Sequence, residues 1–233
     1  MAPQAPQRSE RRSEATALLD VRRDSWTGHV ALAVTTIYLL RHGEVELAET
    51  RRFIGHLDVR LSAVGERQCR AQAARLGAAP LAAVFASDLI RARASGEILG
   101  APHGLTPTSM PALREMAMGR WEGLTAQEIQ EREPAAFAEW MQRVGEFPFP
   151  EGESVPDLAA RAWPAFEALV AAHAGQAIAV VAHGGTNRTI LCRALGLPFD
   201  RLLCFGQDYG ALNVLTRDRL TWRLAQLNQR PMR

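Results

Sequence analysis

The chain has 233 residues, of which 47% are hydrophobic, and this is enough apolar material for one sizeable α/β domain. Its formal net charge of +2 argues against a strongly basic surface of the kind that binds nucleic acid or an acidic membrane. The chain has 27 arginines and no lysine, so chemistry that needs lysine, such as a Schiff base or a phosphate-loop lysine, is excluded.

Three cysteines, Cys69, Cys192 and Cys204, lie far apart and form no C-x-x-C pair. This spacing predicts buried, reduced thiols in an intracellular protein. No apolar run approaches the ~20 residues that cross a bilayer, and the N-terminus lacks the apolar core of a secretory signal. We therefore expect a cytoplasmic protein that does not use a membrane as a partner.

The first 34 residues differ in composition from the rest of the chain. Prolines, glutamines, serines and mixed charges are concentrated there, without a continuous apolar pattern. Such a composition is typical of a segment that does not pack into a core. We predict a flexible N-terminal extension over residues 1–34.

The first predicted strand, Thr36–Leu40, ends in Arg41, His42 and Gly43. In an open α/β sheet, ligands bind beyond the carboxyl ends of the strands. Arginine offers a rigid fork of donors suited to phosphate, and histidine can act as a nucleophile near neutral pH. The stretch predicts a phosphate ester that Arg41 holds and His42 attacks, with Gly43 permitting a sharp exit of the backbone.

A polar loop over residues 45–60 follows this strand and leads into a helix. Loops of this length that follow a strand with catalytic side chains often shape a binding site. Ser62 is the expected N-cap of the helix, which should run to about Leu76.

The second predicted strand, Leu81–Ala86, leads into a helix that continues to Leu99. Ser87 or Asp88 can cap this helix, which places Arg91 in its first turn. A helix N-terminus favours an anion, so Arg91 is a candidate for a second phosphate donor. The alternative is an ordinary surface arginine.

A weak strand is predicted over Gly104–Thr108, and a block rich in apolar residues follows over 113–123. Within this block, the carboxyl of Glu115 lies between apolar neighbours and is a candidate proton donor. The alternative is a structural carboxylate paired with arginine. Glu122 is a similar candidate in a weaker context.

Two short helices are predicted over Thr125–Arg132 and Pro134–Arg143, and a longer helix over Val155–Ala174. Pro164 lies inside the longer helix and predicts a kink or a break there. Residues of about 124–155 therefore form a helical insertion between sheet strands, which could act as a lid or as a wall that selects the substrate.

The clearest strand is Ala177–Ala182, a continuous apolar run of the kind found in buried parallel sheets. His183 and Gly184 follow it, so a second histidine at a strand end also precedes a glycine. The segments Leu212–Thr216 and Leu220–Leu227 predict a closing hairpin. Together these elements predict an α/β three-layer sandwich, with a mostly parallel central sheet and helices on both faces.

The block Leu40-Arg41-His42-Gly43-Glu44 resembles the signature of the histidine phosphatase superfamily, which also contains the cofactor-dependent phosphoglycerate mutases. Four further blocks are similar to that family in order and spacing: Leu61–Gly65, Ser87–Ala92, Leu113–Gly123 and Val181–Gly185. The resemblance covers roughly residues 36–227. It implies a phosphoglycerate mutase-like domain over residues 35–228.

The resemblance also implies roles for individual residues. His42 would be the nucleophile that becomes phosphohistidine, and Glu115 would protonate the leaving alcohol. The phosphoryl group would be held by four residues: Arg41, Arg91, His183 and Gly184. The family needs no metal, and we expect no cofactor for this chain, because phosphoryl transfer chiefly requires positioning and charge stabilisation.

The chain departs from the family pattern just after the signature. Val45 occupies a position where the family often has threonine, and Ala48 one where it often has an asparagine that donates to phosphate. Arg51 or Arg52 could replace the lost donor. The departures also leave open a non-catalytic phosphate-binding module.

The block lengths favour the phosphatase branch, because the long insertion of the mutases before the acid block is absent. A phosphoglycerate mutase remains the alternative enzyme. The segment Gln207–Leu212 is similar to alpha-ribazole phosphatases, so the expected substrate is a small phosphate ester, such as alpha-ribazole 5′-phosphate or a sugar phosphate. The sequence leaves the oligomeric state open, a homodimer included.

Overall fold

The computed structural model describes residues 33–219 and 221–231, and the predicted N-terminal extension lies outside this part except for residues 33 and 34. The described chain forms a six-stranded sheet of order β3-β2-β4-β1-β5-β6. The strands are β1 (Thr35–Arg41), β2 (Leu81–Ala86), β3 (Thr108–Ser109), β4 (Ala177–Ala182), β5 (Leu212–Arg217) and β6 (Trp222–Gln229). The helices are α1 (Ala63–Leu76), α2 (Ile90–Gly100), α3 (Ala126–Arg132), α4 (Pro134–Gln142), α5 (Val155–Ala172) and α6 (Gly184–Leu195).

The four strands β3, β2, β4 and β1 are parallel, while β5 is antiparallel to both β1 and β6. The register of β1 against β4 sets Arg41 opposite Ala182. The carboxyl ends of these two central strands therefore meet at one edge of the sheet. The predicted mostly parallel sheet with a closing hairpin is confirmed.

The side chains of the central strands alternate between two hydrophobic cores. Ile37 and Leu39 of β1 belong to the core that includes residues of α5 and α6. Leu40 belongs to a second core with residues of α1 and α2. Because successive strand residues point to opposite faces, the two helix pairs cover the two faces of the sheet, as predicted. In the described part, no helix is both long and apolar enough to cross a membrane.

The turn after β1 packs directly against the start of α1. Ser62 caps this helix, as predicted, by accepting a hydrogen bond from the Gly65 N–H at 3.1 Å. A Cβ on Gly65 would overlap the carbonyl oxygen of Glu44, and a Cβ on Gly43 would overlap the carbonyl oxygen of Gly65. Both glycines are therefore required by the close approach of two backbones. This corrects the expected reason for Gly43, whose φ lies outside the left-handed region.

One prediction of local structure is wrong, and one of the two outcomes predicted at Pro164 does not occur. The strand expected over Gly104–Thr108 is limited to Thr108–Ser109, because Gly104 ends a 3₁₀ turn with φ +67°. The break expected at Pro164 does not occur, since α5 continues through it to Ala172. Phe166 and the other buried residues of α5 pack into the core. This packing stabilises the helix although Pro164 has no backbone N–H to donate.

The capping of α2 also differs from the prediction. The first helical N–H, that of Ile90, donates to the carboxylate of Asp58 at 2.7 Å, and Asp58 belongs to the loop after β1. Ser87 accepts only from the Leu89 N–H at 3.3 Å, and Asp88 pairs with Arg114 at 2.5 Å. The loop after β1 is thereby fastened to the helix that carries Arg91.

Candidate active site

One cavity of about 310 Å³ lies at the carboxyl edge of the sheet. Five residues that the sequence predicted for the site line it: Arg41, His42, Arg91, Glu115 and Gly184. The sixth, His183, follows β4, and its ring centroid lies 5.0 Å from that of His42. Residues from four separate segments of the chain therefore meet at one point, because the parallel strands end together there.

His42 is arranged as a neutral nucleophile. Its Nδ1 atom lies 2.7 Å from the carbonyl oxygen of Gly43, and this contact assigns the proton to Nδ1 and the lone pair to Nε2. Burial lowers the pKa of His42 well below 6.5, and the charges of Arg91 and Arg41 lower it further. The ring is therefore neutral at physiological pH, as nucleophilic attack requires.

Arg91 is a buried pocket residue, which makes the alternative of a surface arginine wrong. Its relative exposure is 1%, and its two terminal nitrogens donate to the carbonyl oxygens of Leu57 and Gly55, both at 2.7 Å. The same guanidinium thus anchors the loop after β1 and places a positive charge at the cavity wall. The Oγ atom of Ser95 donates to the Arg91 carbonyl at 2.7 Å and accepts from the Gly43 N–H at 3.1 Å.

Arg41 is held by the segment that precedes β5. Its Nη1 atom donates to the carbonyl oxygen of Gln207 at 2.6 Å, and its guanidinium carbon lies 3.8 Å from the ring centroid of Tyr209. The Tyr209 ring also lies 5.6 Å from that of His42. Hydrogen bonding and cation–π contact fix the guanidinium beside the nucleophile.

His183 is fully buried at the start of α6. Within the described part of the chain, neither of its ring nitrogens has a hydrogen-bond partner. Burial lowers its pKa well below 6.5, with further contributions from Arg91, His42, Arg41 and His56. A buried polar ring without a partner is costly, so a ligand that hydrogen-bonds to it would be favoured here.

The carboxylate of Glu115 lies against the N-terminus of α6. It accepts from the N–H groups of Gly185 at 3.0 Å and Thr186 at 3.1 Å, and from that of Met116 at 2.9 Å. The partial positive charge of a helix N-terminus orients the carboxylate at the cavity wall. No arginine within residues 33–219 and 221–231 forms an ion pair with Glu115, so the alternative of an arginine-paired structural residue is not supported.

A second set of contacts holds the backbone around Glu115. Arg161, from α5, donates to the carbonyl oxygens of Ala112, Arg114 and Glu115 at 2.7–3.0 Å. The Nε2 atom of His56 lies 2.7 Å from the same Glu115 oxygen. The position of the candidate acid is therefore determined by side chains from both the loop after β1 and α5.

Glu122, the weaker candidate acid, has a different place. It does not line the cavity. Its Oε1 atom accepts from the backbone N–H groups of His56 at 2.8 Å and Met118 at 3.0 Å. These contacts join two loops, so Glu122 supports the wall and does not face the reacting groups.

Arg188 is a cavity residue that the sequence reasoning missed. It lies four residues after Gly184 on α6, and its Nε atom donates to the carbonyl oxygen of Phe205 at 2.8 Å. A Cβ on Gly184 would lie 3.3 Å from Nη1 of Arg188 and 3.5 Å from Nε of Arg41. Gly184 therefore leaves room for two guanidinium groups. The i, i+4 spacing of Gly184 and Arg188 places both on one face of α6, and this spacing could have identified Arg188 from the sequence.

The departures at Val45 and Ala48 have separate consequences. Val45 is buried and lines the cavity, whereas Ala48 lies in a 3₁₀ turn and does not. Of the two proposed replacements, Arg52 is bound to Glu128 at 2.9 Å. Both arginines line the cavity, but the side chain of Arg51 has no hydrogen-bond or ion-pair partner among the residues the structure describes. Arg51 is therefore better placed to contact a substrate.

The two buried histidines predict that acidification destabilises the fold. Their pKa values lie below 6.5 in the folded state, so the unfolded chain binds more protons below that pH. Stability should fall from pH 6.5 towards pH 5 by up to about 1.4 kcal/mol per pH unit for each histidine. Urea unfolding at several pH values, compared between the native chain and His183→Gln, measures this. Parallel pH profiles for the two proteins would contradict the prediction.

The comparison with protein families matches residues 37–230 of the chain to the histidine phosphatase superfamily (branch 1). A metal-independent phosphoserine phosphatase from Arabidopsis thaliana is 34% identical over 182 residues, which are 75% of this chain and 76% of that protein. A probable phosphoglycerate mutase from Serratia proteamaculans is 34% identical over 167 residues, or 70% of this chain and 75% of the relative.

Solved structures show the same architecture. A mycobacterial glucosyl-3-phosphoglycerate phosphatase matches with a TM-score of 0.76 and 31% identity, covering 84% of this chain and 99% of that one. The alpha-ribazole phosphatase from Shigella flexneri matches with a TM-score of 0.77, covering 83% of this chain and 96% of that one. Its identity is 23%, so this likeness concerns the fold alone.

Proposed function

The chain belongs to the histidine phosphatase superfamily, and we propose that it hydrolyses a small phosphate monoester through a phosphohistidine at His42. One observation carries the proposal. The Nδ1–H of His42 is bound to the Gly43 carbonyl, so the Nε2 lone pair of a neutral ring is free for attack. Two arginines of the cavity wall lower the pKa of that ring, and Glu115 lines the same cavity.

In the first step, the phosphoryl group lies among Arg41, Arg91 and His183. The Nε2 atom of His42 attacks phosphorus, a P–N bond forms, and the bond from phosphorus to the ester oxygen breaks. Glu115 in its protonated form gives its proton to the departing oxygen. The arginines offset the charge on the equatorial oxygens, which is the main requirement of phosphoryl transfer. Gly184, the first residue of α6, brings the positive end of this helix close to the phosphoryl group.

In the second step, water replaces the alcohol. Glu115, now a carboxylate, accepts a proton from water as the water oxygen attacks phosphorus. The P–N bond breaks, the lone pair returns to Nε2 of His42, and inorganic phosphate leaves. Glu115 regains its proton and is ready for the next ester. The same carboxyl thus acts first as acid and then as base.

The proposed reaction needs no metal, because protein cations supply the positive charge. Arg41, Arg91 and Arg188 all line the cavity. Within residues 33–219 and 221–231, no three or more His, Cys, Asp or Glu side chains are grouped to hold a metal ion. We expect phosphate release from p-nitrophenyl phosphate to be unchanged in EDTA. Loss of activity in EDTA that added metal restores would contradict this expectation.

A substrate panel tests the proposed function. Phosphoserine, glucosyl-3-phosphoglycerate and alpha-ribazole 5′-phosphate are the esters that the names of the relatives and structural neighbours suggest. Steady release of inorganic phosphate without a bisphosphate primer supports the phosphatase. A requirement for the primer, with the phosphoryl group returned to a product, would indicate a mutase. Binding of phosphate without turnover of any ester would indicate a binding module.

A further inference from the structure

The cavity has a cationic side and an apolar side. The apolar side is formed by residues of the loop after β1, the acid block, the helical insertion and the segment between α6 and β5: Phe53, Met116, Met118, Trp140, Phe149 and Leu203. No serine, threonine, asparagine or glutamine is among the described residues that line the cavity. We propose that the ester's alcohol is apolar, an aryl or bulky alkyl group, and not a polyol; this rests on the proposed function.

In the proposed arrangement, the alcohol of the ester lies against the apolar side. Glu115, which delivers the proton to the departing oxygen, is followed directly by Met116, and both line the cavity. Arg188 and Arg41 both lie next to Gly184, so their charges belong to the phosphate side. An alcohol that leaves past Glu115 therefore enters a region bounded by sulfur, aromatic and aliphatic groups.

The aromatic part of this wall is packed into the protein. The rings of Phe53 and Trp140 lie 5.4 Å apart, and each contacts Trp121, which is fully buried. Phe149 lies 5.2 Å from the same Trp121 ring. Because these rings support each other, the wall is preorganised for an apolar group. A sugar placed there would exchange its hydrogen bonds with water for contacts that cannot replace them.

Arg51 is the main argument for a different substrate. Its backbone has φ +50°, and the residue is exposed at the cavity wall. It could bind a second anionic group on the alcohol. An exposed arginine discriminates weakly because water screens its charge. We therefore infer the substrate class from the extensive apolar wall and not from Arg51. An ester whose alcohol carries a second anionic group tests this choice.

The experiment compares esters of primary alcohols, so that leaving-group chemistry is matched. Benzyl phosphate and cyclohexylmethyl phosphate represent the apolar class, glucose 6-phosphate the polyols, and 3-phosphoglycerate the doubly anionic esters. We expect kcat/KM for the apolar esters to exceed that of glucose 6-phosphate by at least about tenfold.

A matched pair of variants tests the wall itself. Leu203 lines the cavity and is 62% exposed, so Leu203→Asn should fold normally. It should lower the ratio of kcat/KM for benzyl phosphate to kcat/KM for glucose 6-phosphate by about fourfold, which is the effect of one buried methylene. Leu197→Asn is the control, because Leu197 is 39% exposed and does not line the cavity. Its preference should equal that of the native chain.

The outcomes separate the inference from the proposed function. Equal or greater kcat/KM for glucose 6-phosphate or 3-phosphoglycerate would overturn the inference, while the released phosphate would still support the phosphatase. A preference that Leu203→Asn and Leu197→Asn leave equally unchanged would also overturn it. Absence of turnover with every ester would overturn the proposed function and the inference with it.

Discussion

Replacing His42 with alanine is expected to abolish the phosphoenzyme and to lower kcat by at least about 10⁴-fold. In the proposed reaction, the Nε2 lone pair of His42 is the attacking group, and the second histidine ring, that of His183, lies 5.0 Å away between centroids. His183 is buried, the charge of Arg91 acts on its ring, and its proposed role is to hold the phosphoryl group. In the variant, only direct attack by water on the ester would remain. This route is slow because no histidine nucleophile divides the reaction into two easier steps.

Rapid acid-free quenching with a radiolabelled ester measures the phosphoenzyme, and stopped assays measure turnover. His103→Ala is the matched control, because it removes a histidine that does not line the cavity and should retain the phosphoenzyme. A phosphoenzyme of normal yield in His42→Ala would contradict the assignment. Mapping the labelled peptide would then show whether His183 is the nucleophile instead.

The central part of the site could be predicted from the sequence because it depends on local patterns. The apolar runs of β1 and β4 predict two buried parallel strands, with Arg41 at the end of the first and His183 directly after the second. Parallel pairing sets Arg41 opposite Ala182, so the pairing of the two strands alone brings their ends together. A motif at the end of a strand is positioned by the strand itself.

The support of Glu115 could not be predicted in this way, because its partners are distant in sequence. The N–H groups of Gly185 and Thr186 bind its carboxylate, and these residues lie 70 and 71 positions away. Arg161, which holds its backbone, comes from α5 across the fold. No local propensity relates these segments, and only the packing of α5 and α6 brings them to the acid block.

The choice between Arg51 and Arg52 illustrates the same limit at neighbouring positions. The two residues have the same side chain, so composition could not separate them. In the structure, Arg52 pairs in a β-bridge with Thr125 and binds Glu128, which begins the helical insertion. Arg51 has φ +50° and lines the cavity. Because Arg52 also lines the cavity, its ion pair with Glu128, a residue distant in sequence, is what separates the two guanidinium groups.

Replacing Glu115 with glutamine is expected to lower kcat for alkyl phosphates by roughly 10²–10⁴-fold, the usual contribution of a general acid. The amide keeps the size of the side chain, and its oxygen can take the place of Oε1, which accepts from the N–H groups of Thr186 and Met116. Only the hydrogen bond from Gly185 to Oε2 is lost. The variant therefore removes the transferable proton while it keeps two of the three backbone hydrogen bonds that hold the side chain. The loss should appear in kcat with little change in KM.

The dependence on the leaving group identifies the proton transfer. The nitrophenolate of p-nitrophenyl phosphate departs without protonation, so the first step should survive in Glu115→Gln. Hydrolysis of the phosphohistidine still needs Glu115 as a base, so p-nitrophenol should be released in a burst followed by slow turnover. Glu122→Gln is the matched control, because this carboxylate accepts two backbone hydrogen bonds outside the cavity. Equal losses for alkyl and nitrophenyl esters in Glu115→Gln, without a burst, would show that Glu115 positions the substrate and does not protonate the leaving group.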